Sequence, residues 1–183
     1  MGYALAKAAH DFGAEVTLVS GPTSLLDPAG VKTIRVETTE EMFNAVKENF
    51  AVSDFLIMSA APADYRPKEI ANSKIKKRDA NLPLELEPTV DILKTLRFDK
   101  KENQIIVGFA LETDNAIANA SAKLKSKGLD LIILNSLEKE IPFDADTNEV
   151  LLIYPDGHVE EVARMDKALL ANELIEKISG LKK

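Results

Sequence analysis

Cysteine is absent from this sequence of 183 residues, and histidine occurs only at positions 10 and 158. The absence of cysteine excludes disulfide bonds, thiolate metal sites and cysteine nucleophiles. Two histidines without cysteine are also too few for an ordinary zinc site. A chain without disulfides is typical of the cytoplasm, which is the expected location, although the same composition is compatible with other compartments.

Long apolar runs are missing as well. No run approaches the roughly 18 residues that a membrane-spanning helix needs, and residues 1–13 lack the features of a secretory signal. The net charge of −7 has the wrong sign for a general binder of nucleic acid. A small anionic ligand remains possible, because positive charge is concentrated in two clusters, Lys74, Lys76, Lys77 and Arg78 in the first and Lys123, Lys125 and Lys127 in the second.

Helical and strand patterns alternate along the chain. Apolar residues recur at helical spacing in 3–12, 39–50, 114–127 and 165–178, with a further helical turn at 91–96. Short apolar runs typical of buried strands occupy 15–20, 32–36, 54–59, 104–109 and 130–134, and further strands are predicted at 82–86, 149–154 and 158–162. This alternation predicts an α/β fold, a Rossmann-like, mostly parallel sheet flanked by helices, with a small antiparallel extension.

The chain length fits one domain, yet the first predicted element is a helix. In a doubly wound nucleotide-binding fold, the first strand and its glycine-rich turn directly precede the first helix. We therefore expect a single domain over residues 1–183 whose first strand and glycine-rich turn would lie before Met1. A domain that truly begins with a helix is the alternative.

The loop that follows the predicted strand at 54–59 is a candidate ligand site. Ligands of α/β folds bind at the carboxyl ends of parallel strands, and small residues between Ser59 and Ala63 allow close approach to the backbone. Asp64 could hold a magnesium ion or a nucleotide hydroxyl. An ordinary loop with a capping aspartate explains the same residues.

Lysines at two further places could bind phosphate groups. Lys74 begins a lysine-rich run about ten residues after Asp64, and a mobile ammonium suits a phosphate or an acyl-phosphate transition state. Lys123 and Lys127 are four residues apart on a predicted helix, so they share a face that could bind a triphosphate. Solvated surface charge is the alternative in both cases.

The order of these motifs is more specific than any one of them. A Gly-Ala-Glu-Val-Thr-Leu-Val-Ser-Gly-Pro run starts at Gly13, and residues 60–67 read Ala-Ala-Pro-Ala-Asp-Tyr-Arg-Pro. Lys-Ile-Lys-Lys follows from Lys74, Val-Gly-Phe-Ala-Leu-Glu-Thr from Val107, and then Lys123, Lys127 and Asn135. In this order the motifs resemble phosphopantothenoylcysteine synthetase, the C-terminal domain of a bifunctional bacterial decarboxylase/synthetase of coenzyme A biosynthesis, over nearly the whole chain.

The resemblance implies a CTP-dependent phosphopantothenate–cysteine ligase. In this family the carboxylate of 4'-phosphopantothenate attacks the α-phosphate of CTP, which gives an acyl-cytidylate and pyrophosphate. The amine of L-cysteine then displaces CMP. The resemblance also implies Mg²⁺ with CTP, and FMN only in a flavin-dependent decarboxylase domain fused to or associated with the chain. It further implies a homodimer, and we expect the dimer interface at strands 82–86 and 149–162. We expect no nucleic-acid or membrane partner.

The resemblance also assigns roles by position. Lys74 resembles the lysine that forms the acyl-cytidylate, Lys123 and Lys127 would hold the triphosphate, and Asp64 would contact the nucleotide or its metal. Phe109 would lie against the nucleotide. The full set of implied nucleotide-binding residues is Met58, Ser59, Ala60, Asp64, Asp91, Ile92, Phe109, Lys123 and Lys127.

The sequence departs from the family pattern in ways that keep alternatives open. The family's Asn-x-Ser-Ser-Gly-Lys segment, which precedes Met-Gly, is not in the sequence, so the chain as given could be inactive or limited to a partial reaction. Residues 89–92 read Thr-Val-Asp-Ile where the family often has Asn-Pro-Asp-Ile. Base choice between CTP and ATP stays open, and on fold alone a nicotinamide-dependent oxidoreductase or a non-catalytic assembly subunit is an alternative.

Overall fold

The computed structural model describes residues 1–69, 71, 73–76, 82–136 and 147–182. In this part of the chain the helices are α1 (Gly2–Asp11), α2 (Thr39–Phe50), α3 (Ile92–Leu96), α4 (Ala116–Lys127) and α5 (Lys167–Ser179). The strands are β1 (Thr17–Ser20), β2 (Lys32–Arg35), β3 (Phe55–Met58), β4 (Tyr65–Pro67), β5 (Leu86–Pro88), β6 (Ile105–Glu112), β7 (Leu131–Ser136), β8 (Thr147–Ile153) and β9 (Val159–Asp166). None of these helices is long and apolar enough to cross a membrane.

The central sheet has five strands in the order β3-β6-β7-β8-β9. Its first three strands are parallel, whereas β8 and β9 run antiparallel to their neighbours. β1 and β2 form a separate parallel pair, and β4 and β5 form a short antiparallel pair that we call the arm. The predicted α/β fold with a mostly parallel sheet and a small antiparallel extension is therefore confirmed.

Helices cover both faces of the central sheet. On one face, α2, α3 and α4 pack into a core cluster through Val46, Leu96 and Leu124. On the other face, α1 and α5 pack into a second cluster through Leu5 and Leu174. Because both faces are covered, the middle strand β7 is apolar at every position from 131 to 134, as buried parallel strands are.

Local signals in the sequence set the ends of the helices. Thr38 Oγ1 accepts a hydrogen bond from Glu41 N at 3.1 Å, and the Glu41 carboxylate accepts one from Thr38 N at 3.3 Å, which is the capping box that starts α2. Gly128 ends α4 in the left-handed conformation, with φ of 63°. A residue without a Cβ adopts this conformation at no steric cost, and the helix ends at Lys127, as the predicted range of 114–127 has it.

Several predicted boundaries differ from the structure by a few residues, and two of the differences have a clear physical reason. The strand expected at 82–86 lies further along the chain, because its pairing with β4 begins only at Leu86. The closing helix was expected from position 165 but begins at Lys167. Asp166 is still paired with Thr147 in the β8–β9 ladder, and its carboxylate accepts a hydrogen bond from Ala168 N at 2.7 Å, which starts α5 there.

The β1–β2 pair shares a core with the central sheet without being joined to it. Val19 of β1 and Ile34 of β2 pack against the same cluster as Leu56 and Met58 of β3. Among the described strands, β1 pairs only with β2, and β3 pairs only with β6. One edge of β1 and one edge of β3 therefore have no neighbouring strand in the described part of the chain.

Gln104 connects the loop before β6 to the end of α2. Its side chain is buried, and its amide nitrogen donates hydrogen bonds to Phe50 O and Ser53 O, both at 2.7 Å. Its amide oxygen accepts a hydrogen bond from Lys101 N at 2.8 Å. The amide therefore satisfies three backbone groups at the amino edge of the sheet.

We predict that Gln104→Leu lowers the free energy of unfolding by about 2–4 kcal/mol, because it leaves these three backbone groups without their partner. Chemical denaturation monitored by circular dichroism measures this change. Asn103→Leu, which removes an exposed amide next to it, is the control and should change the stability by less than about 0.5 kcal/mol. Equal losses in the two variants would contradict the assigned role of Gln104.

Candidate nucleotide-binding site

The parallel strands bring their carboxyl ends to one edge of the central sheet, which we call the carboxyl edge. Met58, the last residue of β3, is in register with Gly108 of β6, and Leu111 of β6 is in register with Asn135 of β7. β6 and β7 end in register, Glu112 with Ser136, whereas β3 ends four residues earlier, so the three strands point to the same edge. Such an edge is where ligands bind in open α/β sheets.

The first turn of α1 lies between the carboxyl ends of β1 and β3. Tyr3 Oη is 2.9 Å from Oγ of Ser20, the last residue of β1. A Cβ built on Gly2 would lie 2.7 Å from Oγ of Ser59, the residue after β3, so the start of the helix is close to this loop.

The loop that carries Asp64 is tied to the segment before α3. Thr89 N donates a hydrogen bond to Asp64 O at 2.9 Å, and Thr89 Oγ1 donates one to Ala63 O at 2.5 Å. Thr89 is two residues before Asp91. The structure therefore connects two sequence motifs, 60–67 and 89–92, that are more than twenty residues apart.

Asp91 has two contacts, one with each of its carboxylate oxygens. Oδ1 accepts a hydrogen bond from Lys94 N at 3.0 Å and so caps the start of α3. Oδ2 lies 3.1 Å from Nζ of Lys127 on α4. The Asp91 carboxylate thus caps α3 and pairs with Lys127, the lysine that the family resemblance assigns to the triphosphate.

Lys123, the second lysine of this helix face, is held in a similar way. Its Nζ lies 2.5 Å from Oε1 of Glu112, the last residue of β6, and Asn119 Nδ2 lies 3.5 Å from Oε2. Glu112 belongs to the Val-Gly-Phe-Ala-Leu-Glu-Thr motif, but its pairing with Lys123 was not predicted. The two residues are eleven positions apart and lie in different elements, so no sequence pattern indicates that they pair.

Phe109 does not face Lys123 and Lys127. Successive residues of a strand point to opposite faces, and the Phe109 ring packs against the cluster formed by α1 and α5. α4 packs on the other face, through Ala120 and Leu124. A nucleotide could contact Phe109 and these lysines together only by passing over the carboxyl edge.

Two of the predicted nucleotide contacts are buried in the protein core. Ile92 is 3 % exposed and Met58 is 8 % exposed, and both pack in the cluster under α2, α3 and α4. Their side chains are therefore unavailable to a ligand, which could contact only their backbone groups. Ala60 is exposed and Ser59 partly so.

Lys74 lies in the segment between the two strands of the arm. Its side chain is exposed, and no hydrogen bond or ion pair joins it to another of the described residues. Lys76 is exposed in the same way, whereas Lys77 and Arg78 of the predicted cluster lie outside the described residues. At the base of the arm, hydrogen bonds to Glu87 and Glu40 raise the pKa of Arg66, the residue that follows Tyr65 in β4.

Asp64 could hold magnesium only together with ligands from the substrate phosphates. No group of three or more histidine, cysteine, aspartate or glutamate residues in the described part of the chain could hold a metal ion. Magnesium in nucleotide-using enzymes is commonly held by one or two carboxylates together with substrate phosphates. Asp64 is exposed and has no ion-pair partner among the described residues, so it could serve as such a carboxylate.

Two surface grooves differ in their position. One of about 490 Å³ lies beside the carboxyl ends of β1 and β2, and its charged lining residues are Arg35, Glu37 and Glu41. The other, of about 630 Å³, lies between α1 and α5, and its charged lining residues are Asp11, Glu173, Glu176 and Lys177. Acidic residues outnumber basic ones in both linings, which disfavours a triphosphate in either groove.

The family model of the DNA/pantothenate metabolism flavoprotein C-terminal domain matches residues 1–181. The chain belongs to this family. The coenzyme A biosynthesis bifunctional protein CoaBC of Bacillus subtilis (strain 168) is 44 % identical over 185 residues, which cover 100 % of this chain and 45 % of that protein. These matches confirm the resemblance found in the sequence.

Two further comparisons extend this finding. A crystal structure of the C-terminal domain of a CoaBC protein has a TM-score of 0.81 and 38 % identity, covering 98 % of this chain and 81 % of that one. A protein of an unknown prokaryotic organism, named cysteine/cysteine sulfinic acid decarboxylase, is 42 % identical over 183 residues, which cover 99 % of this chain and 51 % of that protein. The chain spans about half the length of the curated relatives it matches.

Substitutions of Asp91 separate its two contacts. Asparagine caps helices about as well as aspartate, so we predict that Asp91→Asn keeps the stability within about 0.5 kcal/mol and loses only the pair with Lys127. Asp91→Ala loses the cap as well and should destabilise by about 1 kcal/mol. Thermal and chemical denaturation measure both changes, and equal stability of the Asn and Ala variants would contradict the capping role.

Proposed function

We propose that this family member is a phosphopantothenate–cysteine ligase that activates its substrate with CTP and acts in the cytoplasm. The observation that carries the proposal is that contacts within the fold join separate family motifs. The loop of Asp64, the start of α3 and the lysine face of α4 are linked by hydrogen bonds and an ion pair. Membership of the family supports the same activity.

The proposed reaction has two steps. A carboxylate is a poor acyl donor until one of its oxygens becomes a good leaving group. Attack of the 4'-phosphopantothenate carboxylate on the α-phosphate of CTP forms the acyl–phosphate bond and releases pyrophosphate. Attack of the cysteine amine on the acyl carbon forms the amide and releases CMP.

Lysines of the chain have distinct roles in this proposal. Lys123 and Lys127 bind the triphosphate through ammonium donors on one face of α4. Lys74, on the arm, approaches the α-phosphate and stabilises the charge that develops there. Asp64, together with the phosphates, would hold magnesium, which would supply further positive charge. Flavin would belong to a decarboxylase half of a bifunctional protein and not to this domain.

We also propose that a strand ending in a glycine-rich turn, upstream of Met1, completes the sheet between β1 and β3. Three observations support it: one edge of β1 and one edge of β3 lack a described partner strand, the two strands share a core, and α1 starts between their carboxyl ends. A strand that fed directly into α1 would run parallel to both neighbours. Its turn would lie at the proposed site.

A second copy of the chain is the partner that we propose for the arm. Leu82, Leu84 and Leu86 are each more than half exposed. Leu86 begins β5, and Leu82 and Leu84 directly precede it, so in this proposal the three exposed leucines form an apolar side of the arm. The intervening Glu85 and Glu87 form ion pairs across the arm. Burial of the leucine side against its symmetry mate would form a homodimer.

The hairpin at 149–162 was the other interface expected from the sequence. Its residues Val150, Leu152 and Val162 are buried in the chain's own core. Those side chains are unavailable to a partner. The arm is therefore the interface that we retain.

Pyrophosphate release tests the proposed reaction. With 4'-phosphopantothenate, magnesium and CTP, we expect substrate-dependent release that Lys74→Gln reduces by more than about a hundredfold, as loss of a transition-state charge contact does. Lys47→Gln removes the same charge from an exposed position on α2 and should leave the rate unchanged. ATP in place of CTP measures the base preference.

The same assay on a chain extended upstream by the family's Asn-x-Ser-Ser-Gly-Lys segment and a preceding strand separates two outcomes. Release only from the extended chain would support the missing strand and turn. Absence of release from both chains, together with absence of nucleotide binding in a direct titration, would contradict the proposed function.

Sedimentation equilibrium tests the dimer. Leu84→Glu places a charge in the centre of the apolar side of the arm, so we predict dissociation to monomers at micromolar concentration. Leu169→Glu, at a similarly exposed leucine on α5, should remain dimeric. A monomeric unsubstituted chain, or dimers of unchanged affinity in Leu84→Glu, would contradict the arm interface.

A further inference from the structure

The Glu112 carboxylate occupies the lysine face of α4. Its side chain is only 15 % exposed, whereas its partner Lys123 is 49 % exposed. Oε1 lies 2.5 Å from Nζ of Lys123, and Oε2 lies 3.5 Å from Nδ2 of Asn119. The acid is therefore fixed against the helix, while the ammonium that balances its charge remains accessible from solvent.

An ammonium has three donors, and Glu112 accepts from one of them. The exposed half of Lys123 leaves the remaining donors open to a phosphate oxygen. A phosphate that used them would lie within a few ångströms of the Glu112 carboxylate, and two negative charges at that separation repel each other. Glu112 therefore holds Lys123 in position and also repels a phosphate bound to it.

We propose that Glu112 is an internal competitor of the nucleotide triphosphate for Lys123, an inference that rests on the proposed function. In the empty site Glu112 neutralises the ammonium. In the occupied site its charge weakens the binding of both the triphosphate and the product pyrophosphate. Pyrophosphate therefore leaves more readily than two lysines on one helix face would allow.

Asp91 is a weaker competitor at Lys127. Its side chain is 40 % exposed, against 15 % for Glu112, so solvent screens its charge more strongly. One of its oxygens is also occupied by the amide of Lys94 at the start of α3. The competition is therefore concentrated on Glu112.

Isothermal titration of the 183-residue protein with inorganic pyrophosphate and with a non-hydrolysable CTP analogue tests the proposal. Glu112→Gln removes the charge, keeps the side-chain shape and can still accept a hydrogen bond from Lys123. We expect both ligands to bind about tenfold more tightly. Glu102→Gln makes the same change of net charge at an exposed position near the opposite edge of the sheet and should leave both affinities unchanged.

A second substitution tests whether Glu112 acts through Lys123. In a Lys123→Gln background, Glu112→Gln should give no tightening, because the ammonium for which Glu112 competes has gone. Glu112→Asp retracts the carboxylate by one methylene and should tighten binding in the same direction by a smaller factor. This variant keeps the charge that balances Lys123 and so serves if Glu112→Gln does not fold.

Unchanged or weaker binding by both Glu112 variants, with an unsubstituted protein that binds the two ligands, would overturn this inference and leave the proposed function intact. Tightening that persists without Lys123 would also overturn it. An unsubstituted protein that binds neither ligand, both as the 183-residue chain and with the upstream segment restored, would contradict the proposed function and this inference with it.

Discussion

The parallel ladder that joins β3, β6 and β7 is the constraint on which the candidate site depends. Its register aligns Met58 with Gly108 and Glu112 with Ser136, so the three strands point to the same edge, with β3 ending before the other two. β3 leads into the loop that carries Asp64, and β6 leads into the turn before α4. Residues distant in sequence meet there because buried backbone groups must pair within the sheet.

The sequence predicted those parts of the fold that are determined locally. The capping residues of α2, the glycine after α4 and the continuous apolar run of β7 each had a physical signal, and each lies where that signal put it. The arm was harder to predict, since three-residue strands leave little pattern. The start of α5 was misplaced because its cap, Asp166, also ends a strand.

The site was predicted as a set of residue types and not as an arrangement. Motif order identified Asp64, Asp91, Lys123 and Lys127, and the fold joins Asp91 to Lys127. The separation of Phe109 from the lysines by the thickness of the sheet depends on strand alternation and helix placement together. The burial of Ile92 depends on how α3 packs, and the pairing of Lys123 with Glu112 depends on how α4 returns along β6. None of these has a local signature.

Two lysines of α4 give this acidic chain a local positive charge. The net charge is −7, yet Lys123 and Lys127 share one face of the helix and are each paired with a carboxylate. Such pairs fix the position of an ammonium but offset part of its attraction for an anion. The proposed function requires release of pyrophosphate in every cycle, and weaker attraction favours that release.

Hydrogen–deuterium exchange with and without a non-hydrolysable CTP analogue tests most directly whether the carboxyl edge is the ligand site. The account predicts that bound nucleotide slows exchange in the loop at 59–64, at the start of α3 and in the turn between β6 and α4. Exchange in the groove between α1 and α5 should stay unchanged. Protection confined to that groove or to the β8–β9 hairpin, with the carboxyl edge unaffected, would contradict it.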